Sequence, residues 1–150
     1  MAQYQHLPIY KQTYDILIRA MTATKEFPRE YKHTLGQKIK DELMDLVIHI
    51  YRANSAVNKT QHIESILERI QSICLLLRLS HDMKILSRRN YAALAQMTDA
   101  LGKQAQGWLK SSEGGKSERV QVKAYLGEHI QLGWRRYYFR IAPKKRFLVS

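Results

Sequence analysis

Residues 75–94 read LLLRLSHDMKILSRRNYAAL, and they hold the end of one helix, a short turn and the start of another. Ser87 offers an acceptor to the free N–H groups of a helix starting just after it. Leu86 and Tyr91 occupy the two positions of a hydrophobic staple. Beyond that start, Tyr91, Leu94, Thr98, Leu101, Ala105 and Trp108 recur in steps of three and four, which predicts one apolar face and a helix reaching Lys110. Upstream, Ile63, Ile66, Leu67, Ile70, Ile73, Cys74 and Leu77 repeat the pattern. Asn58 and Gln61 are placed to cap that helix, and its end is expected near Ser80.

The same periodicity extends towards the N-terminus. A helix beginning after Phe27, with Pro28 able to open it, carries Leu35, Ile39, Leu43, Leu46 and Ile50 with Val47 alongside, and should end near Asn54. Before it, Leu7, Tyr10, Tyr14, Leu17 and Met21 form one stripe, with Pro8 suited to a first helical turn. Each helix has a wet face and cannot be stable alone, and the short connections favour antiparallel neighbours. The expectation is an all-α, up-down-up-down four-helix bundle over residues 1–112, followed by a basic aromatic extension over 113–150. Gly36, Gly102 and Gly107 each cost about 1 kcal/mol relative to Ala inside a helix. Close approach of another helix, within the bundle or between subunits, would offset that; a backbone site for a ligand is the other reading, without phosphate-loop spacing to support it.

A chain of 150 residues with 45% apolar and 25% charged side chains can build one core, and is too short for a multidomain enzyme. Its 25 Lys and Arg against 13 Asp and Glu leave +12, which makes a polyanion the first partner to consider. Residues 111–150 hold nine of the basic and three of the acidic side chains, so the surplus is densest there. One cysteine, Cys74, excludes an internal disulfide framework and fits a reducing compartment. The apolar runs are too short to span a bilayer and the first twenty residues lack a signal-peptide core, so the expected location is cytoplasmic.

Within the extension, Ser111, Ser112, Gly114 and Gly115 read as a hinge. Val120, Val122 and Ala124 alternate with polar residues and 134–141 is aromatic and basic, which fits either a β-hairpin or a segment that orders on a partner. Trp134, Tyr137, Tyr138 and Phe139 are interleaved with Arg135, Arg136 and Arg140, and Lys144, Lys145 and Arg146 follow. Rings can stack on bases while guanidinium groups meet phosphates; the competing reading buries these rings against the bundle or between subunits.

Catalytic chemistry has little to stand on. Asp45 and His49 share a helix side, but two ligands are too few for a metal, and an ordinary helix-surface pair is the simpler reading. The histidines at 6, 33, 49, 62, 81 and 129 show no zinc spacing, and Cys74 lies in an apolar run where a thiolate is poorly stabilised. No catalytic residue, metal ligand or cofactor site is therefore assigned. The basic residues make a better constellation: Arg78, Lys84, Arg88 and Arg89 gather around the turn between the last two helices. Arg29, Lys32, Lys38 and Lys40 populate the second helix, and Lys103 and Lys110 the fourth. Distributed charge suits a phosphate backbone, against the plainer reading of a solvated helix face. A membrane surface would also require an exposed apolar face, and the sequence shows none.

Phe27, Pro28 and Arg29, then Leu35 and Gly36, then the stretch from Leu75 to Ser80, and finally Gly107, Trp108 and Leu109 occur in an order that resembles Avd. YKQTYDILI near the start and LLLRLSHDMKILSRRNYAAL near the middle add to the likeness, which covers about residues 7 to 111. Avd is the accessory variability determinant of diversity-generating retroelements, close to the four-helix proteins encoded in intervening sequences of bacterial 23S rRNA genes. The resemblance implies a homopentamer of four-helix protomers that binds nucleic acid and associates with the retroelement reverse transcriptase. It implies an accessory role, without catalysis, in copying template RNA into mutagenised cDNA and in its transfer to a variable gene. A stand-alone RNA-binding protein of the intervening-sequence type and a metal-dependent enzyme are the alternatives.

Overall fold

The structure is a computed structural model that describes residues 3–113. A short 3-10 turn, Tyr4–His6, precedes α1, Pro8–Thr24. The second helix, α2, starts as Arg29–Tyr31, passes through a π-helical stretch at Lys32–Gly36 and continues as Gln37–Ser55. α3 spans Thr60–Asp82 and α4 spans Arg88–Ser112. Packing is most extensive between α2 and α3 and between α3 and α4, and α1 packs on α2 and α4, which closes an up-down-up-down four-helix bundle.

The local signals in residues 75–94 act as their chemistry requires. Ser87 Oγ accepts a hydrogen bond from the Asn90 N–H at 3.2 Å, and Leu86 and Tyr91 are both buried. At the other end of α3, Asn58 Oδ1 accepts from the Thr60 N–H at 3.2 Å. The predicted stripes of α2 and α3 form the core: Ile39, Leu43, Leu46 and Ile50 face Ile63, Ile66, Leu67, Ile70, Ile73 and Leu77, all at most 2% exposed. α4 contributes Tyr91, Leu94, Thr98, Leu101 and Ala105 as predicted, but Leu109 and not Trp108 closes the stripe.

α1 departs from its sequence pattern. Its buried face is Ile9, Thr13, Ile16, Leu17, Ala20, Ala23 and Thr24, whereas Tyr14 and Met21 of the expected stripe are exposed and Leu7 and Tyr10 are half-buried. Small residues let the helix approach closely, and Thr13 satisfies its own hydroxyl by donating to the Ile9 carbonyl at 2.7 Å. Gln12 donates to the Met97 carbonyl at 3.3 Å and also pairs with Gln104, which ties α1 to α4.

Gly36 sits where α2 crosses the end of α1. A Cβ there would lie 3.3 Å from the Tyr31 carbonyl oxygen and 3.4 Å from the Phe27 ring. Crowding by α2's own π-helical backbone, by the Phe27 ring and, at 3.5 Å, by the Thr24 Cβ of α1 thus accounts for this glycine. Gly102 is buried, while a Cβ on Gly107 would meet nothing within 4 Å. The expected β-hairpin and the rest of 114–150 lie outside the described residues.

Candidate nucleic-acid interface

The alternation of helix directions puts the α1–α2 turn and the α3–α4 turn at the same end of the bundle. Two basic clusters far apart in sequence therefore share one end: Arg29 and Lys32 at the start of α2, and Arg78, Lys84, Arg88 and Arg89 around the second turn. Arg29, Lys32, Lys84, Arg88 and Arg89 are exposed and make no ion pair among the described residues.

The second turn is held by a set of backbone hydrogen bonds. The Lys84 N–H donates to the His81 carbonyl at 2.9 Å, and the N–H groups of Ile85 and Leu86 donate to the Ser80 carbonyl at 2.9 and 3.0 Å. This is the pattern that ends a helix through a left-handed residue, and Lys84 takes that place with φ 61°. A left-handed conformation costs a residue with a Cβ roughly 1–2 kcal/mol. The His81 ring stacks on Tyr91 with centroids 4.4 Å apart and planes 6° off parallel, fastening the turn to α4. Lys84, Arg88 and Arg89 are thus presented from a turn whose backbone is hydrogen-bonded and tied to α4.

Other basic residues singled out in the sequence are engaged within the protein. Arg78 Nε donates to Asp82 at 2.8 Å, Lys38 pairs with Glu42 at 2.9 Å and Lys103 with Asp99 at 3.1 Å. Lys40 is half-buried, and Lys110 is exposed in the last turn of α4, away from the basic end. Arg135, Arg136, Arg140, Lys144, Lys145 and Arg146 lie outside the described residues.

Two features were not read from the sequence. The first is an ion network between α2 and α3: Glu42, only 4% exposed at its side chain, receives Lys38 at 2.9 Å and Arg69 at 3.0 Å, and Arg69 reaches Asp45 at 3.6 Å. Burial alone would raise the Glu42 carboxyl, but the hydrogen bonds and charges of Lys38 and Arg69 outweigh it and hold it below its ordinary value. Asp45 therefore pairs across helices with Arg69 and does not form the expected pair with His49. The His49 Nδ1 is buried without a hydrogen-bond partner among the described residues, and its ring lies 6.4 Å from that of His62. Burial, followed by the charges of Arg52 and Arg69, lowers its basicity. Glu42 and Arg69 stand 27 residues apart, a separation that helical periodicity does not address.

The second is an exposed apolar face along α1 and α2, contrary to the expectation that none exists. Tyr14, Ile18 and Met21 of α1 and Met44, Ile48 and Tyr51 of α2 are each between 42% and 50% exposed. Tyr4 joins the two helices by edge contacts to Tyr10 at 5.1 Å and to Tyr51 at 5.2 Å. Tyr14 and Met21 of the α1 stripe belong to this exposed face, while Leu17 of the same stripe is buried.

Burial pushes the Cys74 thiol up to about 12, so its thiolate is scarce at neutral pH. Among the described residues, no group of three His, Cys, Asp or Glu is placed to hold a metal ion. Nor is any described helix long and apolar enough to cross a membrane. Among known proteins, a family model described as bAvd-like matches residues 7–112. No curated protein and no solved structure matches.

Proposed function

This chain belongs to the bAvd-like family, and from that premise we propose that it is the accessory protein of a diversity-generating retroelement, binding nucleic acid through the basic end of its bundle. As an Avd-type accessory protein it associates with the retroelement reverse transcriptase and the template RNA, and supports mutagenic cDNA synthesis and retrohoming without performing catalysis itself. The protomers assemble as a homopentamer in the cytoplasm, and the exposed apolar face along α1 and α2 supports assembly. The observation that carries the nucleic-acid reading is the juxtaposition of Arg29 and Lys32 with Lys84, Arg88 and Arg89 at one end. Charges gathered at one end, and without an ion pair among the described residues, can meet a phosphate backbone without first breaking one of the ion pairs seen there.

The test is the salt dependence of RNA binding, alongside co-purification with the reverse transcriptase. Replacing Arg88 and Arg89 together by alanine should lower the slope of log affinity against log salt by about 1 to 2 units per protomer contact. An unchanged slope with the oligomer intact would return these residues to an ordinary solvated surface. RNA binding without capture of the reverse transcriptase would argue for a stand-alone RNA-binding role instead.

A further inference from the structure

The molecule has a second exposed apolar stripe, on a different helix. Leu75 and Leu79 of α3 and Met83, the residue that caps its C-terminal end, follow one another at steps of four and are 68%, 42% and 44% exposed. Those steps keep them on one side of the helix, turned away from the buried Ile66, Ile70, Ile73 and Leu77. The α1–α2 face and the α3 stripe are unlike in shape and composition. One is a broad surface of Tyr, Ile and Met across two helices, and the other a narrow Leu and Met ridge on a single helix.

We propose that the α1–α2 face of one copy covers the Leu75, Leu79 and Met83 ridge of the next copy, so that assembly proceeds head to tail through two different surfaces of the same chain. This rests on the assembly part of the function proposed above and assigns the surfaces that meet.

Area supports a second copy as the occupant. Six side chains about half exposed, with an aromatic presenting some 150–250 Å² in full, offer on the order of 500–600 Å² of apolar surface on the α1–α2 face. The α3 ridge adds on the order of 300 Å² by the same reckoning. A stable interface buries about 1,600 Å² in total, of which somewhat more than half is apolar, or roughly 900 Å². The two faces together supply that share, and the α3 ridge alone does not. A two-fold pairing of the α1–α2 face with itself would leave the α3 ridge in water, whereas a head-to-tail contact covers both surfaces with one kind of interface. Such contacts close into rings when the rotation between copies allows it.

The experiment uses the full chain and two charged substitutions at exposed positions, Ile48→Glu on the α1–α2 face and Leu75→Glu on the α3 ridge. Each variant alone should lose assembly and run as a monomer in light scattering, with the helical circular dichroism of the parent. An equimolar mixture should recover a dimer of one copy of each variant, because the intact ridge of the Ile48→Glu chain meets the intact face of the Leu75→Glu chain. A Leu75→Glu chain that assembles like the parent would overturn the pairing, as would a mixture that stays monomeric. In both cases the parent's own assembly is untouched, so the reading that the protein oligomerises survives. A parent chain that is itself monomeric at micromolar concentration would overturn both.

Discussion

The first and second helices carry the same sequence signal and put it to opposite uses. Leu35, Ile39, Leu43, Leu46 and Ile50 repeat at helical spacing, and the last four are buried at the centre of the bundle. Leu7, Tyr10, Tyr14, Leu17 and Met21 repeat equally well, yet Tyr14 and Met21 are 49% and 42% exposed and only Leu17 is buried. A hydrophobic period locates a face; which side of the helix enters the core depends on how closely the neighbours can approach. α1 turns Ile9, Ile16 and Leu17 inward together with the small residues Thr13, Ala20 and Ala23, which weigh little in any hydropathy count, and Tyr14 and Met21 remain outside.

The largest effect expected from this contrast lies in paired truncations. Leu46 is fully buried, so Leu46→Ala should destabilise the fold by about 2–5 kcal/mol through lost burial and the cavity left behind. Tyr14 is half exposed and contacts Tyr10 at 6.3 Å, so Tyr14→Ala should change fold stability by about 1 kcal/mol or less while weakening assembly. Urea unfolding followed by circular dichroism at two protein concentrations separates the terms. Equal losses for the two variants in dilute protein would place the α1 stripe back in the core.

Acid titration probes the polar flank of α2. His49 has its basicity lowered from an ordinary value of 6.5, so between its folded value and 6.5 the unfolded chain binds more protons, and stability falls as pH drops through that window. Glu42 is held below 4.5 in the folded state, so its contribution is complete above 4.5 and is lost as pH falls towards its folded value. Both terms have the same sign, and unfolding midpoints should decline in two stages. His49→Gln should remove the upper stage and Glu42→Gln the lower. At neutral pH, Glu42→Gln should also cost about 1.5–3 kcal/mol, the range for a hydrogen bond to a charged group. An unaltered acid profile in Glu42→Gln would show that its pairing with Lys38 and Arg69 does not couple to folding.

The sequence made the elements legible and left the pairings dark, for a physical reason. Ser87, Leu86, Tyr91 and Asn58 act on backbone groups within a few residues, so their roles could be read directly. Arg69 meets Glu42 only because α2 and α3 pack in one particular register, and Arg29 joins Arg88 at one end only through the alternation of helix directions. Basic residues were likewise legible as a class. The structure separates Lys38, Arg78 and Lys103, which have carboxylate partners, from Lys84, Arg88 and Arg89.

The helix glycines repeat the lesson on a smaller scale. Gly36 and Gly107 carry the same intrinsic penalty, and an alanine at either should return about 1 kcal/mol of helix propensity. At Gly36 the new methyl would stand 3.3 Å from the Tyr31 carbonyl oxygen and 3.4 Å from Phe27. A backbone carbonyl has little freedom to move aside, so overpacking of about 1–3 kcal/mol should cancel or exceed the gain. At Gly107 nothing lies within 4 Å of that position, so the full gain should appear. Gly36→Ala should therefore be neutral to destabilising and Gly107→Ala stabilising, as read from thermal unfolding of dilute protein. Repeating the measurement on the assembled protein sharpens the result. If Gly107→Ala stabilises the dilute chain but weakens the oligomer, the open space beside Gly107 is filled by a neighbouring copy, and this glycine relieves crowding between subunits as Gly36 relieves it within one.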